Sequence, residues 1–136
     1  ALIFELEGEA GFRAREQILL RELRGQAGQL LATGGGSVID PLNRELMREA
    51  GFVVYLPATL EQQLARLKRD RKRPLLATPA REARLRKLAE VREPLYLEVA
   101  DLVLPDAAQA PERAARRAAE AIAAAWQRPP PASRPA

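Results

Sequence analysis

Apolar residues near the start of the chain recur at helical spacing, and glycines interrupt the pattern once. The segment FRAREQILLRELR, which begins at Phe12, has this spacing, and the glycine-containing GEAG at Gly8 precedes it. Such spacing predicts an amphipathic helix, and the glycines predict an interruption within it. We therefore expect residues 1–24 to form two helical pieces.

Three later runs are short and apolar, as buried strands are, and the second of them is also rich in β-branched and aromatic residues. They are Gln29–Thr33, Phe52–Pro57 and Asp101–Pro105. Helical segments alternate with these runs. Asp40 is a suitable N-cap before Pro41, and Thr59 is a suitable cap for the following helix. The predicted helices are Leu42–Ala50, the segment after Thr59, Ala80–Ala100 with a bend or break near Pro94, and Pro111–Trp126.

The alternation of strands and helices predicts an α/β fold with a parallel sheet covered by helices. With 136 residues, 47% of them hydrophobic, the chain suits one domain, which we place at residues 1–126. Residues 127–136 are rich in proline and are predicted to be a disordered tail. No apolar run reaches the about 20 residues of a membrane helix, so we expect a cytoplasmic protein without membrane contact.

Composition excludes several kinds of chemistry. The chain contains no cysteine and no histidine, so disulfides, thiol catalysis, histidine metal sites and a Ser-His-Asp triad are excluded. The net charge of +4 would permit nucleic-acid binding, but aromatic residues make up only 4% of the chain. Because stacking platforms for bases are scarce, we expect an anionic small molecule rather than nucleic acid as the partner.

Three consecutive glycines, Gly34 to Gly36, follow the first predicted strand in LLATGGGSVIDP. A tight turn or spacer is one interpretation. The other is that a ligand approaches the backbone where no β-carbon is present. Because ligands bind at the carboxyl ends of strands in parallel sheets, the position of the glycines favours the ligand.

Arginines are the most suitable groups for binding an anion in this chain. Arg13, the cluster Arg66–Arg73 and Arg92 stand out, although each could be a solvated charge on a helix. Arg92 precedes Pro94, which can expose backbone and direct a side chain into a cleft. The segment 69–79 is charged and flanked by prolines, which is typical of a mobile lid.

Taken together, five motifs in this order closely resemble the shikimate kinase family. They are FELEGEAGFRARE, LLATGGGSVIDP, FVVYLPAT, RKRPLLAT and VREPLYLEVADLVL, and they cover the chain to about Trp126. The resemblance implies a kinase fold of the nucleoside monophosphate kinase type, three layers around a parallel sheet. It also implies transfer of a phosphoryl group from ATP, with Mg²⁺, to the 3-hydroxyl of shikimate in aromatic amino-acid biosynthesis.

The resemblance also assigns roles to individual residues. Arg13 and Arg92 would bind the shikimate carboxylate, and the backbone of Gly34, Gly35 and Gly36 would lie against its ring and hydroxyls. Phe12 would form part of the pocket wall, and Glu16 would orient a neighbouring arginine. Arg73 in the lid would stabilise the phosphate charge, and the positions that match nucleotide contacts are Arg66, Gln109 and Pro111.

One departure from the family is large. The family's phosphate-binding loop, GxxGxGK[ST], has no match in the chain, and neither has its substrate-binding aspartate, because Asp40 and Asp101 lie in other contexts. In the family's strand order, 2-3-1-4-5, the three predicted strands would be the third, fourth and fifth.

We therefore expect an incomplete sheet without its first two strands, a chain that alone is marginal or misfolded and lacks kinase activity, and a monomer when complete. The alternative is a shikimate-kinase-like domain that senses a ligand in a regulator. Upstream sequence would separate the two, because a phosphate-binding loop indicates the kinase and a helix-turn-helix the regulator.

Overall fold

A computed structural model describes residues 2–69, 79–105 and 110–127 of the chain. It contains five α-helices and two short strands within these ranges. The helices are α1 (Leu2–Leu23), α2 (Pro41–Ala50), α3 (Leu60–Arg69), α4 (Pro79–Val99) and α5 (Pro111–Ala125), and the strands are β1 (Val54–Tyr55) and β2 (Leu102–Val103). The predicted lid lies almost entirely outside the described residues, as does all but the first residue of the predicted tail.

The predicted helix boundaries are confirmed, and local chemistry accounts for them. In α1, Gly8 has φ 68° and ψ −172°, so two helical pieces meet at a kink that only glycine adopts readily. Asp40 caps α2 by accepting a hydrogen bond from Leu42 N at 2.8 Å. At α3, Thr59 Oγ1 accepts from Gln62 N at 3.1 Å and Gln62 Oε1 accepts from Thr59 N at 2.8 Å, which is a capping box.

The break that we expected near Pro94 does not occur, since α4 continues through this residue. Proline removes one helical hydrogen bond, but Leu95 and Val99 after it pack in the core. This packing holds the last turn of α4 in place.

The two strands pair in parallel, with Val54 opposite Leu102 and Tyr55 opposite Val103. Leu104 N donates to Tyr55 O at 2.9 Å, and the Asp101 side chain accepts from Val53 N at 2.7 Å. The expected parallel sheet is therefore present in a reduced form.

The first of the three predicted strands, Gln29–Thr33, is wrong for this structure. The segment has no strand pairing, and the Leu30 side chain is 100% exposed. In the family's strand order the neighbours of this segment are the first and second strands, which are not among the described residues. Without a hydrogen-bonding neighbour on either side, a strand has no ladder to join. The fourth and fifth strands are adjacent in that order, which is why β1 and β2 do pair.

The core is small and lies between α1, α2 and α4. Its buried apolar side chains are Leu20, Val38, Leu46, Met47 and Val99. Away from it, Phe52 stacks on Trp126 with ring centroids 5.6 Å apart, which fixes the end of α5 beside β1. The core thus anchors α1 and α4 on the two sides of α2, and the turn that enters α2 contains the glycines.

Candidate functional site

The three glycines form a tight turn at the start of α2 rather than a flexible spacer. Ser37 N donates to Gly34 O at 3.1 Å, and Ile39 N donates to Gly36 O at 3.2 Å. A single turn of 3₁₀ helix, Ser37–Ile39, follows and leads into the Asp40 cap. We call residues 34–39 the glycine turn.

Side chains of α2 bind the carbonyl groups of the last three residues of the glycine turn. Asn43 Nδ2 donates to Ser37 O at 3.1 Å, and Arg44 Nη1 donates to Val38 O at 2.8 Å and to Ile39 O at 3.0 Å. Ser37 and Asn43 are only 1% and 2% exposed, so these polar groups are held inside the fold. Buried, satisfied hydrogen bonds of this kind give the turn a defined conformation.

Helix α1 brings Arg13 and Glu16 to the glycine turn. A β-carbon built on Gly36 would lie 2.7 Å from Arg13 Cζ, so the guanidinium occupies the space that a side chain would need. Arg13 Nη1 pairs with Glu16 Oε2 at 2.8 Å, and Ser37 Oγ donates to Glu16 Oε1. The Arg13 guanidinium also lies 5.3 Å from the ring centre of Phe12, within cation–π range.

Helix α4 brings Arg92 and Tyr96 to the same turn from another direction. Tyr96 Oη donates to Gly35 O at 2.7 Å. A β-carbon on Gly35 would lie 2.8 Å from that hydroxyl and 3.7 Å from Arg92 Nη1. Gly35 and Gly36 are thus needed for the approach of the protein's own side chains.

Arg92 also has an unused donor. Its Nε is buried, with no hydrogen-bond partner among the described residues. A buried N–H without a partner is costly, and such groups call for a physical explanation such as a ligand. Because Arg13 and Arg92 approach adjacent glycines, two guanidinium groups converge on one short stretch of backbone. A guanidinium offers a planar fork of donors that matches a carboxylate or a phosphate.

An open cleft of about 640 Å³ borders the glycine turn between α1 and α2. Arg13, Gly36 and Asn43 are among its lining residues. The Asn43 Oδ1 atom is buried and has no hydrogen-bond partner in the described part of the chain. Glu9 and Asp40 line the same cleft, so it has acidic as well as cationic side chains close to the glycines.

Tyr55 supports the Tyr96 ring from β1. The two rings stack with centroids 4.9 Å apart and an interplanar angle of 29°. Burial raises the pKa of Tyr55 above its ordinary value, and the charge of Glu93 and the neighbouring Tyr96 add to the effect. The stack of Tyr55 on Tyr96 connects the carboxyl end of β1 to α4, and the hydroxyl of Tyr96 connects α4 to the glycine turn.

The structure brings together all seven residues predicted for the substrate site. These are Phe12, Arg13, Glu16, Gly34, Gly35, Gly36 and Arg92. The predicted nucleotide contacts are on other elements: Arg66 is exposed on α3, and Pro111 is the first residue of α5. Arg73 and Gln109 lie outside the described residues.

Three residues at the site were not predicted from the sequence: Ser37, Asn43 and Tyr96. One signal was present, because Tyr96 follows Arg92 by four positions and so lies on the same face of its helix.

Neither aspartate considered above is free for catalysis in this structure. Asp40 caps α2 and also accepts from Gln17 Nε2 at 3.0 Å. Asp101 accepts from the backbone of Val53 between the strands. Within the ranges that the structure describes, no group of three or more acidic side chains is placed to hold a metal ion.

None of the helices in the described ranges has both the length and the apolar character needed to cross a lipid bilayer.

Comparison with known proteins identifies the relatives of the chain. The family model for shikimate kinase matches residues 1–123. The shikimate kinase of Pseudomonas entomophila (strain L48) is 56% identical over 102 residues, which cover 75% of this chain and 59% of the relative. That of Halorhodospira halophila (strain DSM 244 / SL1) is 48% identical over 120 residues, 88% of this chain and 68% of the relative.

A solved structure is also similar. Shikimate kinase from Acinetobacter baumannii, in complex with shikimate, superposes with a TM-score of 0.71 at 44% identity and covers 90% of this chain and 66% of that one. The chain thus spans about three fifths to two thirds of the length of these relatives. A match over residues 1–123, together with this level of identity, shows that the chain belongs to the shikimate kinase family.

Proposed function

We propose that the glycine turn, Arg13 and Arg92 bind shikimate, with the two guanidinium groups holding its carboxylate. The observation that carries the proposal is that arginines from two separate helices approach adjacent glycines of one rigid turn. The buried Nε of Arg92, unpaired among the described residues, supports a ligand there. The Acinetobacter baumannii relative, which is bound to shikimate, makes this acid the first ligand to test.

The roles of three further residues belong to the same proposal. Glu16 orients Arg13 through their ion pair at 2.8 Å, as the motif suggested. Phe12 contributes to the pocket wall below the Arg13 guanidinium. The backbone of Gly34, Gly35 and Gly36 lies against the ring and hydroxyls of the substrate.

We further propose that the reaction is transfer of a phosphoryl group from ATP to the 3-hydroxyl of shikimate. All the relatives reported above are named shikimate kinase. Phosphoryl transfer depends mostly on positioning and charge neutralisation, which arginines and backbone groups supply without histidine or cysteine. Mg-ATP supplies the phosphoryl group, and the family's phosphate-binding loop is not found in residues 1–136.

The nucleotide contacts that we propose are Arg73, Arg66, Gln109 and Pro111. Arg73 would neutralise charge on the transferred phosphoryl group. The contribution that we propose for the glycine turn, Arg13 and Arg92 is the binding and orientation of shikimate. No observation favours the alternative of a ligand-sensing domain in a regulator.

Calorimetric titration of shikimate tests the binding part of the proposal, with the chain joined to the phosphate-binding-loop segment of a shikimate kinase because the chain alone is expected to be marginal. We expect saturable binding that is lost or strongly weakened in Arg92→Ala. Arg86→Ala is the matched control, since Arg86 lies on the same helix and pairs with Glu82 at 3.2 Å. Absence of binding, or equal binding by Arg92→Ala, would contradict the proposal.

The reaction is tested by ADP release and by detection of shikimate 3-phosphate. We expect no turnover from the chain alone. We expect turnover when the chain is joined to the phosphate-binding-loop segment of a shikimate kinase. Failure of a folded fusion that binds both substrates would overturn the proposed reaction.

A further inference from the structure

Two arginines of α2 lie against one carboxylate near the end of α4. Arg48 Nη2 donates to Glu98 Oε1 at 2.8 Å and to Glu98 O at 3.3 Å. Arg44 Nε lies 3.2 Å from Glu98 Oε2, which is ion-pair distance, although this nitrogen forms no hydrogen bond among the described residues. Because Arg48 already gives Glu98 a hydrogen-bonded positive charge, neutralising this carboxylate does not by itself account for Arg44.

Arg44 differs from Arg48 in that it also binds the glycine turn. Its Nη1 donates to Val38 O at 2.8 Å and to Ile39 O at 3.0 Å. The Arg44 side chain is 15% exposed, whereas that of Arg48 is 47% exposed. Since a guanidinium is rigid and planar, contacts at both Nη1 and Nε fix its position. Arg44 therefore joins the last residues of the turn to α4, whereas the contacts of Arg48 join α2 to α4.

The last turns of α4 thus hold the glycine turn at two places. Tyr96 Oη donates to Gly35 O at 2.7 Å near the start of the turn, and Glu98 reaches the end of the turn through Arg44. Arg92 precedes these two residues of α4 by four and six positions, which is about 6 and 9 Å along a helix axis. The position of α4 against the turn consequently sets where the Arg92 guanidinium lies.

We infer that Arg44 is a positioning residue, which holds α4 against the glycine turn so that Arg92 meets the same carboxylate as Arg13. This inference rests on the proposed function, since it concerns how the two carboxylate-binding arginines are aligned. Arg13 is connected to the turn through Glu16, which accepts a hydrogen bond from Ser37. Arg44 provides the corresponding connection for the helix that carries Arg92.

Methionine substitutions at the two arginines of α2 separate alignment from the loss of a charge beside Glu98. Arg44→Met removes the bonds to the turn and keeps an apolar stem. Arg48→Met is the matched control, because it removes an arginine of the same helix from the same carboxylate. Both variants are made in the chain joined to a phosphate-binding-loop segment. Shikimate affinity is measured by NMR titration, which also quantifies weak binding.

We expect Arg44→Met to bind shikimate about three- to tenfold more weakly, because Arg92 is displaced rather than removed. Arg48→Met should bind within about twofold of the parent. In an Arg92→Ala background, Arg44→Met should cause no further loss, since no guanidinium remains at that position to be aligned. Parent-like affinity of Arg44→Met would overturn the inference. An equal loss in Arg48→Met, or in the Arg92→Ala background, would overturn it too, because a general packing defect acts in this way.

Arg44→Lys keeps the inference testable if Arg44→Met does not fold. Lysine retains the positive charge beside Glu98 but lacks the planar fork that contacts the turn and α4 together. We expect folded Arg44→Lys to bind shikimate about two- to fivefold more weakly than the parent. Affinity equal to that of the parent would show that the charge alone is sufficient, and would contradict the inference.

Amide hydrogen exchange without ligand keeps the two proposals distinguishable. The N–H groups of Ser37 and Ile39 form backbone hydrogen bonds within the glycine turn. Their exchange should be faster in Arg44→Met and unchanged in Arg48→Met. If the parent does not bind shikimate, the proposed function fails together with the ligand role of Arg44. If the parent binds and the exchange is unchanged in Arg44→Met, only the inference about Arg44 fails.

Discussion

Addition of one methyl group at Gly36 is expected to separate binding from stability at this site. Gly36 has φ −83° and ψ −8°, a conformation that alanine adopts without strain. The cost of Gly36→Ala therefore comes from its neighbour, because the new β-carbon would lie 2.7 Å from Arg13 Cζ. The guanidinium has to move, and the Arg13–Glu16 pair at 2.8 Å is disturbed with it.

The expected effect of Gly36→Ala on stability is smaller than its effect on shikimate binding. The Arg13 side chain is 31% exposed, and a partly exposed ion pair contributes roughly 0.5–1 kcal/mol to the free energy of unfolding. A charge-assisted hydrogen bond to a carboxylate contributes about 1.5–3 kcal/mol to binding. We therefore expect Gly36→Ala to weaken shikimate binding by about 10- to 150-fold while its stability changes by at most about 1 kcal/mol.

The assay combines calorimetric titration with urea unfolding of each protein. Gly25→Ala is the matched control, since a β-carbon on Gly25 would have no atom within 4 Å and its φ is not positive. This control should bind shikimate as the parent does. Unchanged affinity in Gly36→Ala would refute the reasoning, because it would show that the position of Arg13 does not matter for binding. A large loss of stability would show that the turn cannot adjust as we describe.

Other predictions concern the support of the site and the helix before it. Ser37→Ala removes the donor to Glu16 inside the fold and should lower the free energy of unfolding by about 1–2 kcal/mol in urea titrations. The Arg15 side chain lowers the pKa of Glu7 chiefly by hydrogen bonding, so Glu7 stabilises the fold above its unfolded pKa and this contribution is lost as the pH falls through the folded pKa. Thermal unfolding of Glu7→Gln should accordingly depend less on pH than that of the parent below about pH 5. Leu30→Lys should leave Tm unchanged, since the side chain is fully exposed; a clear decrease would show that the segment is buried as a strand.

The helices and their caps were predictable because their signals are local. The Asp40 side chain accepts from Leu42 N, and the Thr59 side chain accepts from Gln62 N, so each cap depends on residues two or three positions apart. Strands depend on partners that are distant in sequence. The run Gln29–Thr33 has the composition of a strand, yet composition does not indicate whether a neighbouring strand is present to pair with it.

In the candidate site too, some residues could be predicted from the sequence and others could not. Arg13 and Arg92 were predicted from motifs that lie far apart in the sequence, and the structure places both at the glycines. Asn43 and Tyr96 were not predicted, because each binds a backbone carbonyl whose direction follows from the path of the folded chain. Resemblance of motifs assigns the groups that contact a ligand more readily than the groups that orient them.

The central claim is that two guanidinium groups share one carboxylate beside the glycine turn. Its most direct test is a double-mutant cycle of shikimate affinity with Arg13→Ala, Arg92→Ala and the double variant. The account predicts that each single variant binds about 10- to 150-fold more weakly and that the two losses are not additive, since both residues bind the same group. Affinity equal to that of the parent in either single variant would contradict it.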